Sequence, residues 1–349
     1  MASSEPTRPA TIRTVAELAG VSKSLVSLVL RGSPNVSEAR REAVQRAIDE
    51  LGYRPNAIAR QLTERRTNMV GVLLSDLRNP WFVDCLDGLV SVLQANGLRT
   101  LLTDVRLDRD SGDALLHGLL ELRVDGLVVM GSIPSSPAIL EASAGTPTVV
   151  AAGRDIRHPG IDVVVNDDWV GIDLAVDHLA ALGHRRIAHL AGSFAAVADV
   201  RRRSYEAAMT AHGLHDEVLI EPSDMTEDGG YRAAVRLLAR ADRPTAIIAV
   251  NDIACIGAMS AAQELGLLVP QDVSLIGYDN SSLAQLRHLW LTSVDGASDE
   301  VGRVAAAALL RRIADPAAQS TEQLIRPTLR VRNTTGPPPP GAALGVISS

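Results

Sequence analysis

Residues 11–52 have the sequence TIRTVAELAGVSKSLVSLVLRGSPNVSEARREAVQRAIDELG, and this stretch decides how the chain begins to fold. Its signals are helical. A capping box opens a first helix at Thr14, Gly20 permits a tight turn, and Ser22 is a suitable N-cap for a second helix. Ser37 begins a third segment with apolar residues at helical spacing. Helix, short glycine-containing turn, helix, loop and helix together predict a helix-turn-helix unit.

From Met69 onward the pattern changes to strand-like apolar runs that alternate with amphipathic segments. Strands are predicted at MVGVLLSDL (69–77), RTLLTDV (99–105), DGLVVMG (125–131), TPTVVAAG (146–153), IDVVVND (161–167), RRIAHLAG (185–192), TAIIAV (245–250) and VSLIGYD (273–279). Helices are predicted at 80–96, 168–182, 199–212, 226–240, 252–266 and 298–314. Apolar strands between helices are typical of parallel sheets covered on both faces. One large sheet, an eight-fold barrel and two doubly wound lobes all satisfy this pattern.

Charge is distributed unevenly along the chain. Residues 1–66 contain eleven lysines and arginines against seven aspartates and glutamates, a net charge of +4, whereas the remainder has a net charge of −11. A polyanion is therefore expected at the N-terminal part. Lys23 is the only lysine in the sequence, which excludes a Walker phosphate loop and a Schiff-base lysine from the rest of the chain.

The location of the protein is indicated by three further features. No apolar run approaches the roughly 20 residues of a membrane span, and the start MASSEPTRPA lacks the apolar region of a secretory signal. Cys85 and Cys255 form no CxxC pair and fit a reducing compartment. We therefore expect a soluble cytoplasmic protein with no membrane partner.

Catalytic interpretations find little support. The chain has no GxSxG elbow, no HExxH motif and no GxGxxG sequence that opens a helix. His184 and His189 are five residues apart in a loop and strand, which favours structural roles over metal binding. Asp167 and Asp168 are better interpreted as a helix N-terminus than as a catalytic pair. We expect no enzymatic activity, no cofactor and no metal site.

The segment 11–62 resembles the DNA-binding head of the lactose-repressor/galactose-repressor family. The match has no gaps and includes V-A-x-L-A-G-V-S, V-S-x-V-L, N-V-S and L-G-Y-x-P-N-x-x-A-x-x-L. The resemblance implies that Lys23, Ser24 and Leu28 of the second helix contact base edges in the major groove. Leu28 departs from the polar or basic residue often found there and offers an apolar contact, such as one to a thymine methyl. Phosphate contacts are expected from Arg31, Asn35, Ser37 and Tyr53.

Residues 55–66 resemble the hinge of the same family. Pro55 suits the first turn of a helix, and a helix this short is marginal by itself. In the family, paired hinge helices of a dimer enter the minor groove and a leucine wedges into the central base step. Here that leucine is Leu62, with Asn56, Ala59 and Arg60 nearby; a core position for Leu62 is the alternative.

The body resembles the effector domain of this family, which is itself similar to periplasmic sugar-binding proteins. The motifs are SDLRNPWF, VDGLVVMG, NDDWVGIDLAVDHLAALGHRRIAHLAG, NDIACIGAMSAAQELGLLVPQDVSLIGYDN and PTLRVRNTTGPP. They imply two α/β lobes with parallel sheets, three crossovers and a ligand cleft at the carboxyl ends of the strands. The expected divisions are a helix-turn-helix domain (11–54), a hinge and linker (55–66), an effector-binding and dimerisation domain (67–335) and a disordered tail (336–349). The N-lobe is expected at about 67–164 and 294–322, and the C-lobe at about 165–293 and 323–335.

Candidate effector-binding residues follow the predicted strands. By the resemblance, Arg201 is the effector-gripping arginine, and Asn166, Asn251 and Asp279 occupy cleft positions; these suit adjacent hydroxyl groups of a ligand. Capping of helices or turns is the alternative for Asn251, Asp279 and their neighbour Asp252, and is favoured for Asp252. Aromatic candidates for stacking on a ligand ring, with core packing as the alternative, are Trp81, Phe82 and Trp169. Ala152 stands where family members can carry a cleft acid, so the ligand need not be a simple hexose.

The combined features predict a sequence-specific DNA-binding regulator, expected to be a repressor, that is controlled by a sugar-like small molecule. A homodimer would bind a pseudo-palindromic double-stranded operator. The family's tetramers use a C-terminal leucine heptad helix, and this chain ends in GPPPPG and small residues. A solute-binding protein and a sugar-processing enzyme are the disfavoured alternatives. Inducer and corepressor action both remain open, because each requires only differential affinity.

Overall fold

The computed structural model describes residues 10–30, 32–53, 66–107, 112–133, 137–192 and 196–340. The chain separates into two compact units, Met1–Thr67 and Asn68–Ser349. Each unit has its own hydrophobic core.

The first unit contains three described helices, α1 (Ile12–Leu18), α2 (Lys23–Leu30) and α3 (Glu38–Leu51). They enclose a small core in which Val15, Val26 and Val44 have no solvent exposure. Gly20, at φ +67°, allows the turn between α1 and α2. This arrangement confirms the predicted helix-turn-helix.

Two of the three helices in the first unit begin where the sequence analysis predicts. The Ser22 hydroxyl accepts the Leu25 amide at 3.2 Å, and Ser37 is the N-cap of α3. The prediction that α1 opens at Thr14 is wrong. Thr11 is its N-cap, and the side chains of Thr11 and Thr14 each accept the other's backbone amide, so Thr14 closes the capping box instead of opening it.

The second unit contains two six-stranded sheets. The first sheet is parallel throughout and has the order β11-β5-β4-β3-β1-β2. Its strands are β1 (Met69–Leu74), β2 (Arg99–Asp104), β3 (Gly126–Met130), β4 (Thr148–Ala151), β5 (Ile161–Asn166) and β11 (Glu322–Ile325). Helices α4 (Pro80–Ala95) and α11 (Ser298–Ala314) cover one face, and α5 (Asp113–Glu121) and α6 (Pro137–Gly145) cover the other.

The second sheet has the order β12-β10-β9-β8-β6-β7, with only β12 antiparallel to its neighbour. Its strands are β6 (Ile187–Ala191), β7 (Leu219–Pro222), β8 (Ala246–Ala249), β9 (Ser274–Tyr278), β10 (Ser293–Asp295) and β12 (Thr328–Arg330). One face packs against α7 (Asp168–Ala181) and α8 (Ala196–Ala211), and the other against α9 (Glu227–Leu238) and α10 (Asp252–Glu264). The two-lobed interpretation is therefore confirmed, and the barrel and the single sheet are excluded.

The helix pair α4 and α11 packs unusually closely. A Cβ added at Gly88 would lie 2.0 Å from the carbonyl oxygen of Asp299, and one at Gly302 would lie 1.9 Å from that of Cys85. Two glycines therefore allow the two backbones to touch, which fixes α11 on the first sheet although its sequence follows the second lobe.

The chain passes between the lobes three times, after β5, after β10 and after β11. Because β11 extends to Ile325 within the first sheet, the last change of lobe falls after Ile325 and not near residue 322.

The folded part of the second lobe extends beyond residue 335, where the predicted domain ends. The Gly336 amide donates to the Ser274 hydroxyl at 3.0 Å, and the Gly336 carbonyl bonds the Nε2 atom of His184 at 2.8 Å. Residue 336 therefore belongs to the folded second lobe, contrary to the predicted tail, and residues 341–349 lie outside the described residues. No helix in the described part of the chain is long and apolar enough to cross a bilayer.

Candidate functional site

Helix α2 exposes the three side chains that were predicted to contact bases. Lys23 and Ser24 lie at its exposed start, and Leu28 is 36% exposed one turn later. Val26 and Val29 are buried on the opposite face. The apolar face of the helix is thus held by the core, while its N-terminal turn is free to enter a groove.

The loop after α2 contains further residues that are predicted to contact DNA phosphates. Arg41 of α3 donates to the Ser33 carbonyl at 2.8 Å and so holds this loop against the third helix. Asn35 and Ser37 are exposed, and Tyr53 is half-buried. The remaining predicted DNA contacts lie outside the described residues: Arg31, Asn56, Ala59, Arg60 and Leu62.

A cavity of about 430 Å³ lies between the two lobes. The first lobe contributes residues that follow the carboxyl ends of β1 and β3, namely Ser75, Asp76, Arg78, Asn79, Phe82 and Ser132. The second lobe contributes Val197, Met225, Thr226, Glu227, Asn251 and Ile253. The volume and the mixture of apolar walls with a few polar groups are typical of a small-molecule site.

Two asparagines of the cavity wall are fixed by their own hydrogen bonds. The Asn251 side-chain oxygen accepts the Ala254 amide at 2.8 Å, so Asn251 is the N-cap of α10, while its amide nitrogen donates to Met225. The Asn79 side chain donates to Asp279 at 3.3 Å, which joins the first lobe to the second. The wall is therefore pre-organised before any ligand binds.

Arg201 lies behind this wall and is almost completely buried. Its Nε donates to Asp168 at 3.0 Å, its Nη1 donates to the Val250 carbonyl at 2.6 Å, and its Nη2 lies 3.7 Å from an Asp279 oxygen. The guanidinium carbon lies 3.6 Å from the centroid of the Tyr278 ring. All three guanidinium nitrogens therefore have partners within the second lobe.

Asp168 connects two arginines. Its second carboxylate oxygen accepts Arg154 of the first lobe at 2.9 Å. Burial raises the pKa of Asp279 to about 7, although the Arg201 guanidinium acts in the opposite direction. The cluster therefore joins both lobes through charged groups that are mostly removed from water.

Asp252 does not cap a helix, contrary to the favoured interpretation. Its carboxylate accepts the amide and hydroxyl of Ser281 at 2.7 and 2.8 Å and the hydroxyl of Ser293 at 2.6 Å. Burial raises its pKa to about 6. The N-cap of α10 is the preceding residue, Asn251, because only that residue is extended and reaches the free amide.

The predicted effector residues fall into three groups. Phe82 and Asn251 line the cavity, and Arg201 and Asp279 lie behind its wall. The aromatic and amide candidates that do not line the cavity are Trp81, buried in the core of the first lobe, Trp169, which is half exposed, and Asn166, which donates to the Gly296 carbonyl.

Sequence analysis missed most of the lining residues. The segment 75–79 belongs to the quoted SDLRNPWF motif and overlaps the end of the strand predicted at 69–77. The observed strand β1 ends at Leu74, so this segment follows it. Met225, Thr226 and Glu227 precede or begin α9 after the short strand β7, which was not predicted. Ala152, at the position of the missing acid, packs against the core of the first lobe.

The histidines have structural partners. The Nδ1 atom of His184 bonds the Thr245 hydroxyl at 2.9 Å, and that of His189 bonds the Ile248 carbonyl at 2.9 Å. Burial lowers the pKa of His189 to about 4. Among the described residues, no group of three potential ligands from His, Cys, Asp and Glu could hold a metal ion.

Comparison with known proteins gives matches along most of the chain. Residues 11–56 match the family model of bacterial regulatory proteins of the lacI family, and residues 176–335 match that of the periplasmic binding protein-like domain. The chain is 35% identical over 335 residues to the HTH-type transcriptional repressor PurR of Erwinia tasmaniensis. This alignment covers 95% of this chain and 98% of that protein. It is 33% identical over 329 residues to the ribose operon repressor of Escherichia coli K12, covering 93% and 99%.

A similar solved structure is that of the lac repressor dimer bound to operator and the anti-inducer ONPF. It superposes with a TM-score of 0.84 at 29% identity, and the alignment covers 94% of this chain and 100% of that chain.

Proposed function

The chain belongs to the lacI family of bacterial regulatory proteins, and from this membership we propose that it is a repressor whose operator affinity is set by a small molecule bound in the interlobe cavity. Like its relatives, which are transcriptional repressors, it is a DNA-binding transcriptional regulator and not an enzyme. The observation that supports the ligand-controlled function is the presence, in one chain, of an exposed helix start and a preformed cavity.

The proposed DNA contacts divide by chemistry. Lys23 donates to guanine O6 and N7, Ser24 pairs with several base edges, and Leu28 contacts a thymine methyl. Asn35, Ser37, Tyr53 and Arg31 hold phosphates, which position the head without specifying sequence. Binding is therefore expected to weaken steeply as the salt concentration rises.

The proposed assembly is a homodimer acting in the cytoplasm, where the DNA is. Two heads would occupy the halves of a pseudo-palindromic site, and paired hinges would place Leu62 in the central minor-groove step with Asn56, Ala59 and Arg60 beside it. The lac repressor structure described above is a dimer on its operator, which supports this assembly.

The proposed effector is a sugar or a related polyhydroxylated compound. The ribose operon repressor is named for a sugar operon, and the cavity combines the Phe82 ring with hydroxyl and amide side chains. Asn251 and Phe82 would contact the ligand, while Arg201 and Asp279 would hold the wall. Trp81, Trp169 and Asn166 are weaker candidates for ligand contact, because none of them lines the cavity.

Selection from random double-stranded DNA tests the function directly. Purified full-length protein should enrich an inverted repeat, and its affinity for that repeat should exceed its affinity for random DNA by at least 10³-fold at physiological salt. The selected operator is then titrated in the presence of sugars and nucleosides. Enrichment of no common sequence would contradict the regulatory function, and an operator affinity unchanged by every ligand that binds would contradict ligand control.

A further inference from the structure

The positive charges nearest to the cavity are already neutralised by neighbouring carboxylates. Arg201 and Arg154 share Asp168, and Arg201 also faces Asp279. Arg78, at the cavity itself, pairs with Asp76 at 2.5 Å. An anionic ligand would therefore have to displace a carboxylate before it reached a guanidinium.

The cavity wall itself carries surplus negative charge. Its charged lining residues are Asp76, Arg78 and Glu227, and within the described part of the chain Glu227 makes no ion pair. A phosphate or carboxylate placed here would lose water and face a like charge, and both effects oppose its binding. A hydroxyl group, in contrast, donates a hydrogen bond to such a carboxylate at little cost.

The remaining wall suits a ligand with one apolar face and one hydroxylated edge. Phe82, Val197, Met225 and Ile253 supply the apolar surface. Gly131, at φ +89°, lies so close to Ser75 that an added Cβ would be 2.4 Å from its hydroxyl oxygen and 2.7 Å from the Phe82 ring. The absence of a side chain at this position thus brings a hydroxyl group and an aromatic ring together at the wall.

We propose that Asp168 decides the charge class of the effector: by offsetting the charge of Arg201 behind the wall it leaves the cavity without a net positive charge for an anion, so the effector is an uncharged polyhydroxylated compound and not a sugar phosphate, a sugar acid or a nucleotide. This inference rests on the proposed ligand control of the same cavity. It assigns a specificity role to a residue that lies behind the wall, with only 2% of its side chain exposed.

Asp168→Asn tests this assignment, because asparagine keeps the size of the side chain and removes its charge. Asp173→Asn is the matched control, since Asp173 is an exposed acid of the same helix α7 with no ion pair in the described residues. The probes are D-ribose 5-phosphate and inorganic phosphate, titrated by calorimetry into the full-length proteins at constant ionic strength.

We expect the wild type and Asp173→Asn to bind neither phosphate at millimolar concentration, and Asp168→Asn to bind D-ribose 5-phosphate at least tenfold more tightly. Asp279→Asn, which removes the other carboxylate facing Arg201, provides a second variant and should shift in the same direction. Phosphate binding by the wild type equal to that of the variants, or no gain in either variant, would overturn the inference. Operator selection with the wild type is scored separately, so that failure of the proposed function is recognised independently.

Discussion

The helix-turn-helix unit and the interlobe cavity arrange their functional side chains in opposite ways. Lys23, Ser24 and Leu28 are exposed on one short helix, within six residues of sequence. Arg201 and Asp168 are buried, and they are bonded to each other from different helices. DNA recognition is thus expected from groups that keep their water until they bind, whereas ligand recognition is expected to depend on charges that folding has already paired.

The largest effect is expected from removing the central charge of the buried cluster. Arg201→Ala leaves Asp279 buried without a guanidinium and Asp168 with Arg154 as its remaining partner, and loss of one partner of a buried pair typically costs about 3–5 kcal/mol. The free energy of unfolding of the second unit, followed by tryptophan fluorescence in urea, should fall by that amount. The variant should also lose the ligand response and retain DNA binding.

Arg203→Ala is the matched control on the same helix. Arg203 pairs with Asp199 at 3.0 Å, but both side chains are about half exposed, so its loss should cost less than about 1 kcal/mol. Equal effects of the two substitutions would contradict the distinction between the buried cluster and an exposed ion pair.

A smaller effect is expected at the DNA-binding helix. Lys23→Ala should weaken binding to the selected operator by about 1–3 kcal/mol, because it removes hydrogen bonds to a base edge. Stability should remain close to that of the wild type, since Lys23 is exposed. Fluorescence anisotropy on the operator and on random DNA separates the two contributions, and an equal loss on both would move Lys23 to the phosphate contacts.

The pH dependence of stability should reveal the buried carboxyls. Folding raises the pKa of Asp279 to about 7 and that of Asp252 to about 6, with burial as the main cause. The protonated forms are therefore favoured by the fold, and the stability that they contribute is lost as the pH rises through these values. Arg201 and the hydrogen bond from Asn79 lower the pKa of Asp279, whereas the nearby carboxylates of Asp252 and Asp168 raise it.

Asp279→Asn isolates this contribution. Between pH 5 and pH 8 the wild type should lose stability relative to the variant, on the order of 1–2 kcal/mol. The measurement is urea unfolding at several pH values. A difference that is constant with pH would mean that Asp279 does not titrate in this range.

The smallest effect concerns one methyl group. If Leu28 contacts a thymine methyl, replacing that thymine by deoxyuridine removes about 0.8 kcal/mol, a change of about fourfold in affinity. The same replacement should have no effect on Leu28→Ala. A full effect on both proteins would show that the methyl group contacts another residue.

Much of the fold follows from the sequence alone. All eight predicted strands are present. Most of them are continuous apolar runs in a sheet covered on both faces, whereas β2 is a partly exposed edge strand with the sequence RTLLTD. The missed strands β7, β10, β11 and β12 have only three or four residues, and β7, β11 and β12 are partly exposed. Such short segments have too little apolar pattern to be distinguished from loops.

The cavity was harder to predict than the sheets. Post-strand positions led to Phe82 and Asn251, which do line it, but no local pattern indicates that Asp168 and Asp279 would surround Arg201. Asp168 was interpreted as part of a helix N-terminus because its sequence context has only that signal. Its pairing with an arginine 33 residues later arises from the packing of α7 against α8.

The central claim is that cavity and operator are coupled within one protein. It is tested most directly by measuring operator affinity with and without a sugar that calorimetry has shown to bind the full-length chain. The account predicts a change of about 5–150-fold in either direction, which corresponds to a coupling free energy of about 1–3 kcal/mol. An operator affinity that stays constant while the sugar saturates the protein would contradict it.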